Sequence, residues 1–495
     1  MESKLTTISY EAIREMDAND PLKAFREKFY VPEGVLYFDG NSLGALPKGV
    51  EARLGEAVRQ EWGNGLIRSW IGAGWYDMPR RLGDKIGRLV GAKPGQVVVA
   101  DSTSVNLFKV LAAALKLQVG KSVILSEPDN FPTDLYMAQG LVELLGSAHE
   151  LRLKWAEEII DAIDTQTAVV MLTHVNYRTG WMHDMKAITK RAHEMGALVI
   201  WDLAHSAGAM PVELDDVEAD FAIGCGYKYL NGGPGAPAFV YVAERHQARF
   251  SQPLAGWMGH AQPFSFEWKY EPAEGISRYL AGTQAVLSMT ALECGVDVML
   301  EADLQAMREK SLVMSDLFMR LVEEQCKGYD LKLVTPTERE RRGSQVCLSH
   351  PEGYAMMQAL IARGVIGDFR APDILRFGFT PLYVGYEDIW KAVGILAEIL
   401  ETRAWDNAAF NSIDTALRRA SPEEQIVVAP YVTNGATDAR HYTVLTPNLY
   451  RFAAFKLQAD ELATFHGTDE RIAVAEHARA ARFYIALLRE FGATD

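Results

Sequence analysis

A lysine and an aspartate stand where side chains of an α/β protein meet a ligand. Lys228 follows an apolar run and precedes the glycine-rich segment 231–235, and Asp202 ends the apolar run 197–201. A carboxylate at a strand end can keep a pyridine nitrogen protonated, and a lysine can form a Schiff base with an aldehyde. The pair therefore predicts pyridoxal 5′-phosphate (PLP) as cofactor. Each residue alone has an ordinary alternative: most lysines are solvated surface charges, and Asp202 fits a helix cap or a buried ion pair equally well.

The segment 101–107 (Asp-Ser-Thr-Ser-Val-Asn-Leu) lies between a strand-like and a helix-like run. Hydroxyl groups and free backbone N–H groups at the N-terminus of a helix form an anion site. The segment is therefore a candidate phosphate site, and Tyr227, next to Lys228, is a candidate ligand of the same phosphate. The ordinary alternative is a helix N-cap without a ligand.

Two further residues have a functional and an ordinary interpretation. Phe131 follows the strand-like run 122–125, where a ring can stack on a cofactor, although a lone phenylalanine is more often part of the core. Arg376 stands in the otherwise apolar run 374–379. A buried arginine needs a carboxylate partner, which is either a protein side chain or an amino-acid substrate.

The elements that position these residues follow from the hydrophobic pattern. Short apolar runs at 97–99, 122–125, 168–172, 197–201 and 221–223 alternate with helix-like stretches. This alternation predicts a parallel sheet covered on both faces, whose ligands bind at the carboxyl ends of the strands.

A smaller α+β unit follows the sheet. A helical pattern over about 285–325 precedes strand-like runs at 331–334, 345–348 and 375–379, and a helix over 386–403 ends the unit. We therefore predict an N-terminal arm (1–45), a large PLP-binding domain (46–285), a small α+β domain (286–417) and a separate C-terminal piece (418–495).

Composition restricts the partners and the compartment. The net charge of −15 disfavours nucleic acid and anionic membranes as partners. The four cysteines are too widely spaced for a disulfide framework or a zinc cluster. No secretory signal or membrane-spanning stretch stands out. A cytoplasmic protein with reduced thiols is predicted.

Residues of about 8–410 resemble bacterial kynureninases. The resemblance is carried by the segments 37–44, 61–70, 130–136, 172–177, 202–208 and 227–235. It implies the aspartate-aminotransferase-type fold of PLP enzymes (fold type I), with a large, mainly parallel-sheet domain and a smaller α+β domain. It also implies a homodimer with shared active sites that hydrolyses L-kynurenine to anthranilate and L-alanine in tryptophan degradation. Unsubstituted kynurenine is favoured, and the 3-hydroxy form stays open as a second substrate.

The resemblance also implies roles for individual residues. Lys228 would form the Schiff base and shuttle protons, Asp202 would pair with the pyridine nitrogen, and Tyr227 would act as an acid near Cβ of the substrate. The other implied cofactor-binding residues are Thr103, Ser104, Phe131, Asp134, Thr173 and His205, with Trp257 and Thr283 reaching the cofactor from the other subunit. The implied substrate-binding residues are Arg376 for the α-carboxylate and Asn41 and Trp70 for the aryl group.

Residues 426–495 resemble the C-terminal end of M20 metallopeptidases instead. The matching segments are 429–431, 435–442, 448–452 and 465–472. In that family the histidine matching His466 is a zinc ligand, but the upstream ligand motifs are missing here. Because a catalytic zinc needs about three protein ligands, we predict no metal site and a non-catalytic appendage, for which an interaction module is one interpretation.

Two other functions compete with kynurenine hydrolysis. Desulfuration by a related PLP enzyme would need a reactive cysteine in a mobile loop, and Cys347 lies in a strand-like run instead. A catalytically idle scaffold would not need the intact set of Lys228, Asp202 and Arg376.

Overall fold

The computed structural model describes residues 8–146, 148–407, 410 and 478–485. The predicted C-terminal piece therefore lies outside the described residues, except for 478–485, which are helical. Among the described residues, no helix is both long and apolar enough to cross a membrane.

Strands and helices alternate through most of the described chain. The strands are β1 (Phe29–Tyr30), β2 (Leu36–Tyr37), β3 (Leu46–Pro47), β4 (Val97–Val99), β5 (Val123–Ser126), β6 (Glu150–Leu153), β7 (Thr167–Thr173), β8 (Leu198–Asp202), β9 (Phe221–Gly224), β10 (Phe239–Val242), β11 (Lys332–Leu333), β12 (Gln345–Ser349), β13 (Val365–Ile366), β14 (Asp368–Arg370) and β15 (Ile374–Gly378). The α-helices are α1 (Tyr10–Ala18), α2 (Gly49–Glu56), α3 (Ser69–Gly72), α4 (Met78–Leu89), α5 (Thr103–Leu117), α6 (Pro132–Leu145), α7 (Ile159–Ala162), α8 (Met185–Glu194), α9 (Glu244–Gln247), α10 (Val286–Glu301), α11 (Leu304–Gln325), α12 (Gly353–Ala362) and α13 (Tyr386–Thr402). A π-helical stretch covers Ala57–Gly65.

The large sheet has seven strands in the order β4-β10-β9-β8-β7-β5-β6. Strands β6, β5, β7, β8 and β9 run parallel. Apolar runs predicted all of these strands except β6, whose sequence Glu-Leu-Arg-Leu is half polar. Alternate residues face opposite cores: Val97 and Val99 belong to one buried cluster and Val98 to the other. Helices therefore cover both faces, which explains why these strands read as continuous apolar runs.

The sheet departs from the parallel pattern at one side. Strand β10, which the apolar pattern did not single out, lies between β9 and β4 and is antiparallel to both. The chain thus turns back after β9 without a crossover helix. As a result, the 225–238 connection, which contains Lys228, stays at the carboxyl edge of β9.

A second, antiparallel sheet has the order β11-β12-β15-β14 and matches the predicted small α+β unit. In its register Asp368 of β14 lies directly opposite Arg376 of β15. Helix α11 packs against α13 in this unit, whereas α10 packs against α2 and α4 beside the large sheet.

The N-terminal segment joins the two units. Strand β2 pairs with β13, next to the small sheet in sequence, while the backbone N–H of Gly44 donates to the carbonyl of Tyr227 at 2.8 Å. A Cβ atom at position 44 would lie 2.3 Å from the Lys228 carbonyl oxygen, so only glycine allows this approach. The predicted fold class, a mainly parallel α/β sheet with a smaller α+β unit, is confirmed.

Candidate active site

The carboxyl ends of the parallel strands form one cavity. Thr173 ends β7, Asp202 ends β8, and the two residues are direct neighbours in the sheet register. Lys228 enters from the connection after β9. The cavity is lined by Ser102, Thr103, Ser104, Phe131, Thr133, Asp134, Thr173, Tyr177, Asp202, Ala204, His205, Cys225, Tyr227, Lys228, Ala236 and Ala238.

Lys228 and His205 meet inside this cavity. The Nζ atom of Lys228 lies 3.1 Å from Nε2 of His205. Burial, followed by the charge of Lys228, lowers the pKa of His205 well below its usual value, so the imidazole is neutral and accepts a hydrogen bond from the lysine. No carboxylate among the described residues is within ion-pair distance of Lys228, which leaves its amine available to a ligand.

Asp202 and Asp134 form a buried pair of carboxyl groups. Asp202 accepts from the backbone N–H of Ala204 at 2.8 Å. Burial raises the pKa of both groups, and the charge of Asp202 raises that of Asp134 further, so Asp134 is the more easily protonated member of the pair. The Oδ2 atom of Asp134 is buried and has no hydrogen-bond partner in the described part of the chain. The pair can therefore accept a proton donor from a ligand.

The opposite end of the cavity is the N-terminus of α5. The Ser102 hydroxyl caps the helix by accepting from the Val105 N–H at 3.3 Å, so the ordinary interpretation holds for this residue. Thr103 and Ser104 also line the cavity in the first turn of this helix. Free N–H groups and the helix dipole favour an anion here.

The turn at Asp101 precedes this helix and is held by a buried ion pair. Asp101 adopts a left-handed conformation with φ of 48°. Its carboxylate pairs with the ammonium group of Lys109, which is fully buried and also donates to the carbonyl of Tyr279 at 2.8 Å. The buried ion pair thus ties the helix N-terminus to the segment 275–279.

Phe131 forms one wall of the cavity. The residue is 38% exposed and belongs to neither buried cluster, which argues against the core interpretation. The ring contacts Tyr177 edge to face with centroids 5.2 Å apart, and Lys228 Nζ lies 6.0 Å from its centroid. A flat ligand next to Lys228 would therefore meet the face of this ring.

Tyr227 lines the cavity beside Lys228. Burial is the main cause that raises its pKa, to about 12. The hydroxyl is therefore protonated at neutral pH and can donate a proton or a hydrogen bond.

Arg376 is almost completely buried and already has a carboxylate partner. Its Nε and Nη2 atoms donate to the two carboxylate oxygens of Asp368 at 2.9 and 2.5 Å, and Nη1 donates to the Tyr177 carbonyl at 2.7 Å. Of the two partners that the sequence left open, the protein carboxylate is thus present. Asp39 lies close by, and burial followed by the charge of Asp368 raises its pKa to about 6.

Besides Arg376, four predicted site residues do not line the cavity of a single chain. Asn41 is buried and donates to Gln345 at 3.3 Å. Trp70 packs edge to face on Trp75, with centroids 6.1 Å apart. Trp257 contacts other aromatic rings at the surface, and Thr283 is exposed.

Some cavity residues were not singled out by the sequence. Tyr177 lies in the quoted segment 172–177, and Cys225 directly follows the strand β9, so strand-end position was an available signal for both. Asp368 and Arg370, which lie outside the cavity lining, carried no such signal, because only strand pairing places them beside Arg376.

The residues of the cavity fit PLP. A helix N-terminus for a phosphate, a ring wall, the buried carboxyl pair of Asp202 and Asp134 for a protonated ring nitrogen, and a lysine amine without a carboxylate partner for an aldehyde occur together. These are four independent chemical requirements of that cofactor.

The fold agrees with this chemistry. A cysteine desulfurase from Thermococcus onnurineus superposes with a TM-score of 0.64 at 19% identity, over 80% of this chain and 99% of that structure. A cystine C-S lyase variant, solved with glycine covalently linked to its PLP cofactor, superposes with a TM-score of 0.63 at 17% identity, over 75% of this chain and 99% of that structure. The protein therefore has the fold of the PLP-dependent enzymes of fold type I.

Sequence comparison is more specific. The kynureninase of Pseudomonas fluorescens is 56% identical over 400 residues, which cover 80% of this chain and 96% of that protein. The kynureninase of Burkholderia pseudomallei (strain K96243) is 55% identical over 79% of this chain and 95% of that protein. Residues 307–396 match the model of the kynureninase C-terminal domain. The chain belongs to the kynureninase family, and the resemblance stated from the sequence is confirmed.

Proposed function

We propose that this protein hydrolyses L-kynurenine to anthranilate and L-alanine with PLP as cofactor, as a step of tryptophan degradation. The observation that carries the proposal is the convergence of Lys228, Asp202 and Tyr227 in one cavity of a chain that belongs to the kynureninase family. Hydrolysis of 3-hydroxykynurenine is a secondary proposal, which competition between the two substrates tests.

Separate groups of residues bind the parts of the cofactor. Thr103 and Ser104, at the N-terminus of α5, bind the phosphate, with Tyr227 as a further donor. Phe131 covers one face of the ring, and Asp202 holds the proton of the ring nitrogen, supported by Asp134. The remaining contacts to the cofactor come from Thr173 and His205, which line the same cavity.

Lys228 moves the protons at the substrate. When bound, PLP supplies an electron sink for the pair left at Cα after proton loss. The Lys228 amine accepts the Cα proton, and the neutral imidazole of His205, 3.1 Å away, orients that amine. No carboxylate among the described residues pairs with Lys228, so no ion pair holds its amine away from the substrate.

Tyr227 completes the hydrolysis. Water adds to the γ-carbonyl carbon, the Cβ–Cγ bond breaks, and anthranilate leaves with the carboxyl group that results. Tyr227, whose pKa is about 12, gives the proton that Cβ requires. Arg376 binds the α-carboxylate, while Asn41 and Trp70 shape the aryl pocket.

We further propose a homodimer with shared sites. Trp257 contacts Phe264 and Phe266 in a surface cluster of aromatic rings, where Phe266 is 78% exposed and nearby Trp268 is 93% exposed. Exposed apolar patches of this kind mark association surfaces. Trp257 and Thr283 lie outside the cavity of their own chain. In a homodimer, both residues would complete the cavity of the other chain.

Mixing two inactive variants tests the shared sites. Lys228→Ala alone and Thr283→Ala with Trp257→Ala each lack an essential part of the site. If the sites are shared, a mixed dimer holds one intact site and activity returns on mixing. Activity that does not return in verified mixed dimers contradicts sharing.

The domain division and the compartment are also proposals. The limits 1–45, 46–285, 286–417 and 418–495 are supported by the two separate sheets, whose strands lie within 97–242 and 332–378. A cytoplasmic location is supported by four free cysteines. Limited proteolysis and cell fractionation test the two proposals.

Desulfuration is the second candidate, because solved cysteine desulfurases share the fold. That reaction needs an accessible, activated thiol. Burial raises the pKa of all four cysteines, and Cys347 lies in the buried strand β12, as predicted. These environments favour the inert thiol form.

The deciding experiment is product analysis with the PLP-saturated full chain. We expect visible absorbance of bound PLP and release of anthranilate and alanine from L-kynurenine. Bound PLP without anthranilate contradicts the proposed reaction, and sulfide release from L-cysteine instead would support desulfuration.

A further inference from the structure

Arg376 has few donors left for a substrate. A guanidinium group carries five N–H bonds. Two of them go to Asp368, one goes to the Tyr177 carbonyl, and one goes to the Ser42 hydroxyl at 2.8 Å. Only one hydrogen, on Nη1, remains without a partner among the described residues. A carboxylate that needs a two-pronged contact cannot obtain it from Arg376 alone unless Asp368 is displaced.

A second arginine lies against the same aspartate. The Nη2 atom of Arg370 donates to Asp368 Oδ2 at 2.6 Å and to the Ser42 hydroxyl at 3.4 Å. Its Nε is buried and has no hydrogen-bond partner within the described residues. The side chain is 35% exposed, whereas that of Arg376 is 1% exposed. Arg370 therefore has both the spare donors and the accessibility that Arg376 lacks.

The charge of Arg370 reaches the catalytic cavity. Burial is the largest cause that raises the pKa of Tyr227 and lowers that of His205, and the positive charge of Arg370 acts to lower both. Tyr227 and His205 both line the cavity. Hydrogen bonds give the same location: Arg370 shares Asp368 and Ser42 with Arg376, whose Nη1 donates to the carbonyl of Tyr177, a lining residue of the cavity. Both arginines therefore adjoin the cavity.

Asp368 explains how two like charges stay side by side. Its carboxylate bonds to both guanidinium groups, and the strand register places it opposite Arg376 and two residues before Arg370. Removing this carboxylate would leave a buried arginine without its ion pair, which is costly.

We propose that Arg370 is a second carboxylate-binding residue of this site, which receives the α-carboxylate together with the remaining N–H of Arg376. Asp368 acts as a positioning residue that holds the two guanidinium groups next to each other. The proposal rests on the proposed function, since it assigns the substrate carboxylate of the same reaction.

The test compares Arg370→Gln and Arg370→Lys with wild type. The control is Arg363→Gln, because Arg363 has a similar exposure of 33% and one surface ion pair, with Glu398. We expect Arg370→Gln to raise KM for L-kynurenine about tenfold or more with a much smaller change in kcat, since a charge-assisted hydrogen bond is lost. The KM of Arg370→Lys should lie between those of wild type and Arg370→Gln, because lysine keeps the positive charge but not the forked N–H donors of arginine. The control should match wild type.

Two inhibitors separate a carboxylate contact from general damage. L-alanine carries the α-carboxylate, and L-alaninamide has the same amine and methyl group without that charge. Arg370→Gln should weaken inhibition by L-alanine about tenfold and leave inhibition by L-alaninamide within about twofold. Equal weakening of both inhibitors, or unchanged KM and unchanged L-alanine inhibition, overturns the proposal.

Failure of the proposed function looks different. In that case wild type itself releases no anthranilate, whereas the present inference fails when wild type is active and the Arg370 variants either bind L-alanine normally or bind L-alanine and L-alaninamide equally less tightly. Absorbance of bound PLP checks that each variant is folded. If Arg370→Gln does not retain PLP, Arg370→Lys decides, and a wild-type KM in that variant overturns the proposal.

Discussion

The buried Lys109 provides a direct test of how the phosphate end of the site is held. Lys109 lies inside α5 with a fully buried side chain, and its ammonium group pairs with Asp101 and donates to the Tyr279 carbonyl. We expect Lys109→Met to destabilise the apo-protein and to weaken retention of PLP. Methionine fills a similar volume, so the loss reflects the charge and the hydrogen bonds rather than a cavity.

The size of the destabilisation follows from the partners of Lys109 that lose their interactions in Lys109→Met. Breaking a buried ion pair costs about 3–5 kcal/mol, but Asp101 is 32% exposed and can regain water, which reduces its share. The Tyr279 carbonyl loses a charged donor, worth about 1.5–3 kcal/mol. We therefore expect a loss of about 3 kcal/mol in the free energy of unfolding. PLP retention should also fall, since Asp101 in its left-handed conformation precedes the Ser102–Ser104 turn.

Urea unfolding of the apo-protein, followed by PLP titration, measures both effects. Lys116→Met is the matched control, because Lys116 lies on the same helix with an exposed side chain. It should change stability by less than about 0.5 kcal/mol. If Lys109→Met is as stable as this control and binds PLP normally, the ion pair does not hold the turn and the reasoning is wrong.

Three further variants and a truncation probe other parts of the protein. Lys228→Ala should lose the visible absorbance of bound PLP and all turnover, and turnover at the wild-type rate would refute its assignment. Arg376→Ala should raise KM for L-kynurenine, because roughly 2–4 kcal/mol of binding free energy is lost. An unchanged KM would mean that the arginine serves only its protein partner. The hydrogen bond to Asp220, which outweighs burial, raises the pKa of His193 above the usual 6.5. Because the folded-state pKa is raised, protonated His193 contributes its full stabilisation below pH 6.5, and this contribution is lost as pH rises through the folded-state pKa. The stability advantage of wild type over His193→Gln should therefore shrink between pH 6 and 8. An advantage that is constant over this range refutes the linkage. Removal of 421–495 should leave PLP absorbance unchanged, and loss of bound PLP would show that this segment supports the fold.

The strands were the easiest part of the fold to predict. The run 197–201 and the strand β8 (198–202) differ by one residue, because a strand buried on both faces must be apolar throughout. Strand β10 was missed although its residues are equally apolar. Its direction depends on pairing with β9 and β4, which no local pattern expresses.

Residue types alone predicted part of the site. A lysine before a glycine-rich turn, an aspartate at a strand end and hydroxyls before a helix indicate PLP chemistry wherever they occur together. The family resemblance added residue roles and the substrate. Both kinds of information concern chemistry that is local in the chain, and local segments are what a single sequence displays.

Tertiary structure decided how these groups are charged and paired. Asp134 and Asp202 are far apart in sequence, and only their shared burial raises the pKa values of both carboxyl groups. Arg376 reads as a substrate ligand in isolation, yet the register of β14 and β15 gives it Asp368 as a partner. Charge states and pairing depend on distance and burial, so they follow from the folded arrangement of segments rather than from the segments themselves.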